Sequence, residues 1–116
     1  MRFTMKCGVF LMDKVLTMIG MAKRAGKIVT GAEICETAVR KRKAKLIIIA
    51  GDISENGRKA ITDTCKYYKV KYIEYSDKEN LGKFTGSDSR SVIAVNDRGF
   101  AESILKKYAE IFDRKE

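Results

Sequence analysis

Five consecutive apolar residues, Leu46, Ile47, Ile48, Ile49 and Ala50, closed by Gly51 and Asp52, constrain the fold of this chain more than any other stretch. A strand with one wet face alternates apolar and polar residues, whereas an unbroken run predicts a strand covered on both faces. Cover on two sides means a layered α/β arrangement. The residues upstream supply part of it. Lys27, Ile28, Val29 and Thr30 read as a short strand that breaks off at Gly31, after which Ile34, Cys35, Ala38 and Val39 take up helical spacing. A basic run, RKRKAK over residues 40–45, ends the helix and leads into the apolar strand.

The entry to that helix carries the first functional signal. Thr30 is the expected N-cap, Glu33 three residues on completes a capping box, and Val29 and Ile34 have the spacing of a hydrophobic staple. A helix start presents unpaired N–H groups and the positive end of the helix dipole, and both attract phosphate. Lys23, Arg24 and Lys27 are close in sequence, and Gly31 and Ala32 would let another backbone approach. On the polar face, Thr30, Glu33, Thr37 and then Arg40 or Lys41 follow helical spacing. Neither a GxGxxG nor a GxxxxGK[ST] sequence is present, which disfavours the familiar nucleotide sites.

Elsewhere the chain continues the alternation. Asp13 is expected to cap a first helix bearing Val15, Met18, Ile19 and Ala22, with Gly26 just past its end. Ser54 or Asp52 opens a helix to about Tyr68, and the alternation from Val70 to Tyr75 predicts a half-covered strand nearer the sheet edge. Ser76 and Glu79 form a second expected capping box before a short helix ending near Phe84. The turn-rich segment 85–90 returns to a strand from Ser91 to Val95. Asn96 or Asp97 then caps a last helix striped with Ala101, Ile104, Leu105, Tyr108 and Phe112. Four strands and five helices predict an α/β domain in three layers, with residues 12–116 as one unit and residues 1–11 as an extension ahead of a start at Met12.

Charge narrows the partner. Met1 to Ala50 holds 11 basic and 3 acidic residues, whereas Gly51 to Glu116 holds 13 and 12, so almost all of the net +9 lies in the half with the helix start. That asymmetry favours a polyanion, nucleic acid first. The absence of histidine removes the commonest general base and neutral metal ligand, and the serines have no evident triad partner, so no enzyme, metal or cofactor is expected. Cys7, Cys35 and Cys65 have no CxxC spacing and read as small core residues in a reducing cytoplasm. Tyr67, Tyr68, Tyr72 and Tyr75 are placed for core or edge packing more than for base stacking. No apolar run reaches the ~20 residues of a membrane span.

With these residues in view, GKIVTGAEICETAVRKRKAKLIIIAGDIS followed by YSDKENLGKFTGSDSRSVIAV resembles the ribosomal protein L7Ae superfamily of kink-turn RNA binders, and within it the small bacterial YlxQ-type members. The resemblance covers Met12 to about Tyr108 and implies an α-β-α sandwich with a four-stranded mixed sheet, the ribosomal L30e-like fold. It also implies an RNA site at the helix after the first strand. In kink-turn binders that helix opens Gly-x-Asn-Glu-x-x-Lys, with Asn and Glu on guanine edges of sheared G·A pairs and Lys on phosphate. Gly31 matches the Gly, while Glu33, Ile34 and Thr37 stand at the Asn, Glu and Lys positions. An isoleucine cannot accept from a guanine edge, and a threonine brings no charge to a phosphate. The family's second contact, the loop before the last strand, corresponds to residues 86–92, with Ser89 and Arg90 as its polar members.

The expectation is thus a cytoplasmic, non-enzymatic, monomeric RNA-binding protein of the translation machinery, taking a structured, ribosomal or kink-turn-like RNA. Lys27, Arg40 and Lys41 would meet phosphates, Gly31 and Ala32 would allow close approach, and Thr30, Glu33, Thr37, Ser89 and Arg90 would supply polar contacts. A protein-interaction module on the same fold is the alternative.

Overall fold

A computed structural model describes residues 13–114, with side-chain detail to Ile111. The expectation for residues 1–11, the start at Met12, Cys7 and the side chain of Phe112 lie outside the described residues. In chain order the elements are α1 (Lys14–Arg24), β1 (Ile28–Thr30), α2 (Ala32–Arg40), β2 (Leu46–Ile49), α3 (Glu55–Tyr68), β3 (Lys71–Glu74), α4 (Lys78–Phe84), β4 (Val92–Val95) and α5 (Arg98–Arg114).

The four strands form one mixed sheet in the order β1-β4-β2-β3. β2 pairs in parallel with β3, Ile48 opposite Ile73, and antiparallel with β4, Ile48 opposite Ile93; β1 pairs antiparallel with β4, Thr30 opposite Ile93. The apolar run therefore occupies an inner position, and every residue of β2 and of β4 is buried. One face of the sheet, with Ile48, Ile93 and Val95, packs on α1, α4 and α5 through Val15, Ile19, Leu81 and Ile104. The other, with Ile47, Ile49, Val92 and Ala94, packs on α2 and α3 through Cys35, Val39, Ile61 and Cys65. This is the three-layer α-β-α sandwich. β3 lies at the edge with only Ile73 of its four residues buried, as its alternation predicts.

Among the described residues, helix starts are fixed by side chains at four of five positions. Asp13 accepts from Leu16 N at 3.0 Å, Ser54 from Gly57 N at 3.1 Å, Asp77 from Asn80 N at 2.8 Å and Asp97 from Phe100 N at 2.9 Å. The second capping box is not made: Asp77, one residue on, caps α4, and Ser76 turns the chain with φ 61°. The Asp13 carboxylate also accepts from the Tyr75 hydroxyl at 2.9 Å, tying the start of α1 to the end of β3. Burial and that carboxylate together raise the tyrosine's pKa above its usual range.

Cys35 and Cys65 are buried in the α2/α3 layer, and burial pushes their thiol pKa values up to about 12 and about 11. A thiol that ionises more readily unfolded than folded stabilises the unfolded chain once pH passes the unfolded value, about 8.5. Stability should accordingly fall as pH rises from about 9 toward 12, and a Cys35→Ala, Cys65→Ala double variant should show a shallower fall in urea titrations over that window. Gly82 supplies a second test. A Cβ there would stand 2.5 Å from Ser89 Cα and 2.6 Å from Ser89 N, so Gly82→Ala must push back the 88–89 backbone. We expect a loss of about 1–3 kcal/mol in equilibrium unfolding.

Candidate nucleic-acid interface

β1, β2 and β3 all point one way and β4 the other. At the end where β1 to β3 finish and β4 begins, α2, α3 and α4 start. α3 and α4 are closed there by their own caps, and Asp52 also accepts from Lys78 N at 3.0 Å. Arg58 contacts both the Glu74 carboxylate and, at 3.3 Å, the Gly51 carbonyl, bracing the turn into α3.

α2 is different. Its N-cap is Gly31, with φ 102° and ψ 138°, and no side chain caps it. The helical ladder begins with Cys35 N on Gly31 O at 2.9 Å, so the amides of Ala32, Glu33 and Ile34 precede it. All three residues are exposed. The expected Thr30 cap fails for a tertiary reason. Thr30 is the last residue of β1, paired with Ile93, and its hydroxyl accepts from Arg90 Nε at 3.0 Å. The Gly31 amide is likewise spent, donating to Val92 O at 3.1 Å. The staple is not made as expected either: Val29 packs in the α2/α3 layer, while Ile34 is 57% exposed.

Arg90 is positioned from two sides. Its amide donates to Lys78 O at 3.0 Å, and its guanidinium also reaches Ser89 O at 3.3 Å. The structure thus brings Thr30, Gly31, Ala32, Glu33, Ser89 and Arg90 together at one end of the sheet. Thr37 lies one turn beyond Glu33 on the same exposed face of α2.

Three predicted residues are elsewhere. Lys27 precedes β1, four residues and roughly 13 Å of strand from Gly31. Arg40 and Lys41 close α2 about 12 Å from its start, and Arg40 is paired with Glu36 at 3.4 Å. Lys23 and Arg24 end α1 at that same far end. The proximity in sequence of these cations to Gly31 is therefore not a proximity in space, because a strand or a helix separates them. Ile34 is what the sequence reading missed at the near end. The signal was available: Cys35, Ala38 and Val39 complete the buried stripe without it.

An α-β-α sandwich with an uncapped helix start beside an arginine-bearing loop defines a class of fold, and comparison with known proteins identifies the family. Residues 13–105 match the model of the Ribosomal protein L7Ae/L30e/S12e/Gadd45 family, and the chain belongs to that family. It is 39% identical over 88 residues to the RNA-binding protein YlxQ of Bacillus subtilis (strain 168), covering 76% of this chain and 88% of that protein. To the Enterococcus faecium RNA-binding protein YlxQ it is 37% identical over 90 residues, 78% of this chain and 86% of the relative. Among solved structures, a Bacillus halodurans protein of unknown function superposes with a TM-score of 0.79 at 30% identity, over 81% of this chain and 95% of that one. The Giardia lamblia 15.5kD RNA binding protein shares the fold with a TM-score of 0.70 at 19% identity, over 84% of each chain. Among the described residues no helix is long and apolar enough to cross a membrane, and no group of His, Cys, Asp or Glu is arranged to hold a metal ion.

The left-handed φ at Gly31 is the local test of this geometry. Gly31→Ala is expected to lower stability by about 1–3 kcal/mol, measured by urea denaturation, although a Cβ there would meet nothing closer than Ile34 Cδ1 at 4.0 Å. A loss near zero would show that the helix start relaxes into another conformation.

Proposed function

We propose that this protein is a non-enzymatic RNA-binding protein of the translation machinery that receives a structured RNA at the start of α2. The observation that carries the proposal is the uncapped first turn. Among the described residues every other helix start is closed by an aspartate or serine, and only α2 has no side-chain cap over its leading amides, with Arg90 braced beside them. Open amides at a helix N-terminus accept a phosphate, and an arginine adds a charged contact. The names of the YlxQ relatives, which say RNA-binding, support the same reading.

The residues on α2 shape what is read. Glu33 accepts hydrogen bonds, as would suit a base amino group, and the Thr37 hydroxyl suits a ribose 2′-OH. Ile34 packs against an unstacked base or a sugar. In this reading the RNA is bent or looped so that its bases splay at the helix start, ribosomal or kink-turn-like in form, with Ile34 replacing a polar contact by an apolar one. Residues 12–116 act as one monomeric domain in the cytoplasm, with no small-molecule substrate.

The exposure of Ile34 favours one rival, the docking of a protein partner on the same helix start. Crosslinking followed by sequencing of the bound RNA separates them. RNA binding predicts crosslinked peptides from residues 30–37 and 86–92, partners lost on ribonuclease treatment, and a roughly tenfold affinity loss for the recovered RNA in Arg90→Ala. Partners that survive ribonuclease, with no crosslinked RNA, would replace this function by the rival.

A further inference from the structure

The cations that the fold removes from the α2 start gather at the opposite end of the sheet. We infer that this end is a second, sequence-independent site that holds the backbone of a separate single-stranded RNA segment.

The strands define the row. At this end β1 begins after Lys27, β2 after Lys45 and β3 at Lys71, while Arg98 opens α5 just past the end of β4. Lys27 O accepts from Asn96 N at 2.8 Å and Lys45 N donates to Val95 O at 2.7 Å, so both residues are pinned against the end of β4. Four adjacent strands with ~4.8 Å between neighbours spread these cations across roughly 15 Å. Lys45, Lys69, Lys71 and Arg98 line one cleft of about 290 Å³, opposed there by Glu102 alone.

The connection 40–45 adds its charges in a fixed shape. α2 stops, Arg42 takes φ 62°, and the amides of Arg42, Lys43 and Ala44 fold back onto the carbonyls of Val39 and Ala38 at 2.9–3.2 Å. The cations of this connection are exposed, and among the described residues only Arg40 has a carboxylate within ion-pair distance. Complementing helix dipoles does not account for so many. α1, α2 and α3 end here, and each C-terminus carries only about half an elementary charge.

A second observation selects single strands. Tyr67, in the last turn of α3, is 79% exposed and stands edge-on to Tyr68 with ring centroids 4.9 Å apart. Arg42 lies over the Tyr68 ring at 5.7 Å. An exposed aromatic ring close in sequence to Lys66 and Lys69 can stack on an unpaired base, whereas paired bases offer it no face. Lysine and arginine contacts to phosphate, with a stacked base, would hold the backbone and base plane and carry little sequence information.

The inference goes beyond the α2 site and is tested apart from it. Fluorescein-labelled 20-nucleotide oligouridylate and oligocytidylate are titrated by anisotropy at several salt concentrations. The quadruple variant Lys43→Gln, Lys45→Gln, Lys69→Gln, Lys71→Gln should reduce the slope of log K against log salt by about 3, at ~0.7 per lost phosphate contact. Tyr67→Ala should weaken both oligonucleotides about tenfold. Arg90→Ala should leave both unchanged, and matching unfolding midpoints would show that the variants fold. An unaltered slope in the quadruple variant, or an equal loss in Arg90→Ala, overturns the second site. If instead the α2 crosslinks fail while these oligonucleotide results hold, the α2 reading falls and the second site stands.

Discussion

Everything in this molecule is oriented by the antiparallel pairing of two fully buried strands, β2 and β4. Because both are covered on both faces, their register cannot slip by one residue without moving polar or helix-facing positions into the wrong layer. β2 running against β4, with β1 also antiparallel to β4 and β3 parallel to β2, leaves three strands pointing one way. The helices that follow them must therefore all start at one end of the sheet. The helices that precede them must end at the other.

That sorting polarises the protein electrically. One end collects helix N-termini, and the chain answers with aspartate and serine caps at α3 and α4 and an open glycine at α2. The other collects helix C-termini, and the chain answers with lysine and arginine, including Lys23, Arg24, Arg40 and Lys66 in last turns. The antiparallel course of β4 contributes the rest of the α2 site, since it delivers Arg90 to Thr30 across 60 residues of sequence. The same fold thus presents a shaped, sparsely charged end and a broad cationic end.

Glycine sets the shape of the end where α2 starts. Gly31 adopts a backbone conformation that side chains disfavour, which lets β1 run directly into α2 with no capping side chain over its first amides. Gly82 lets α4 and the 88–89 backbone touch, and so fixes the approach of Ser89 and Arg90. Arg58 and Asp52 brace the neighbouring turns. The shape of this end is set by backbone geometry more than by any reactive side chain.

The periodicities alone determined the order of four strands and five helices, the burial of Leu46 to Ile49 and the edge position of β3, because these follow from spacing within a few residues. Asp13 was legible as a cap for the same reason, and Ser54 as one of two candidates, since a cap reaches an amide only three residues on. The resemblance to a family added the sheet's mixed pairing. Only the tertiary structure decided which residues meet. It drew Thr30 into β1 and gave its hydroxyl to Arg90, turned Ile34 outward, moved the α4 cap from Ser76 to Asp77, and carried Lys27, Arg40 and Lys41 a sheet's length from Gly31. The physical reason is common to all four: neighbours in sequence are separated by the rise of a strand or helix, while strand pairing and packing join residues that the sequence holds far apart.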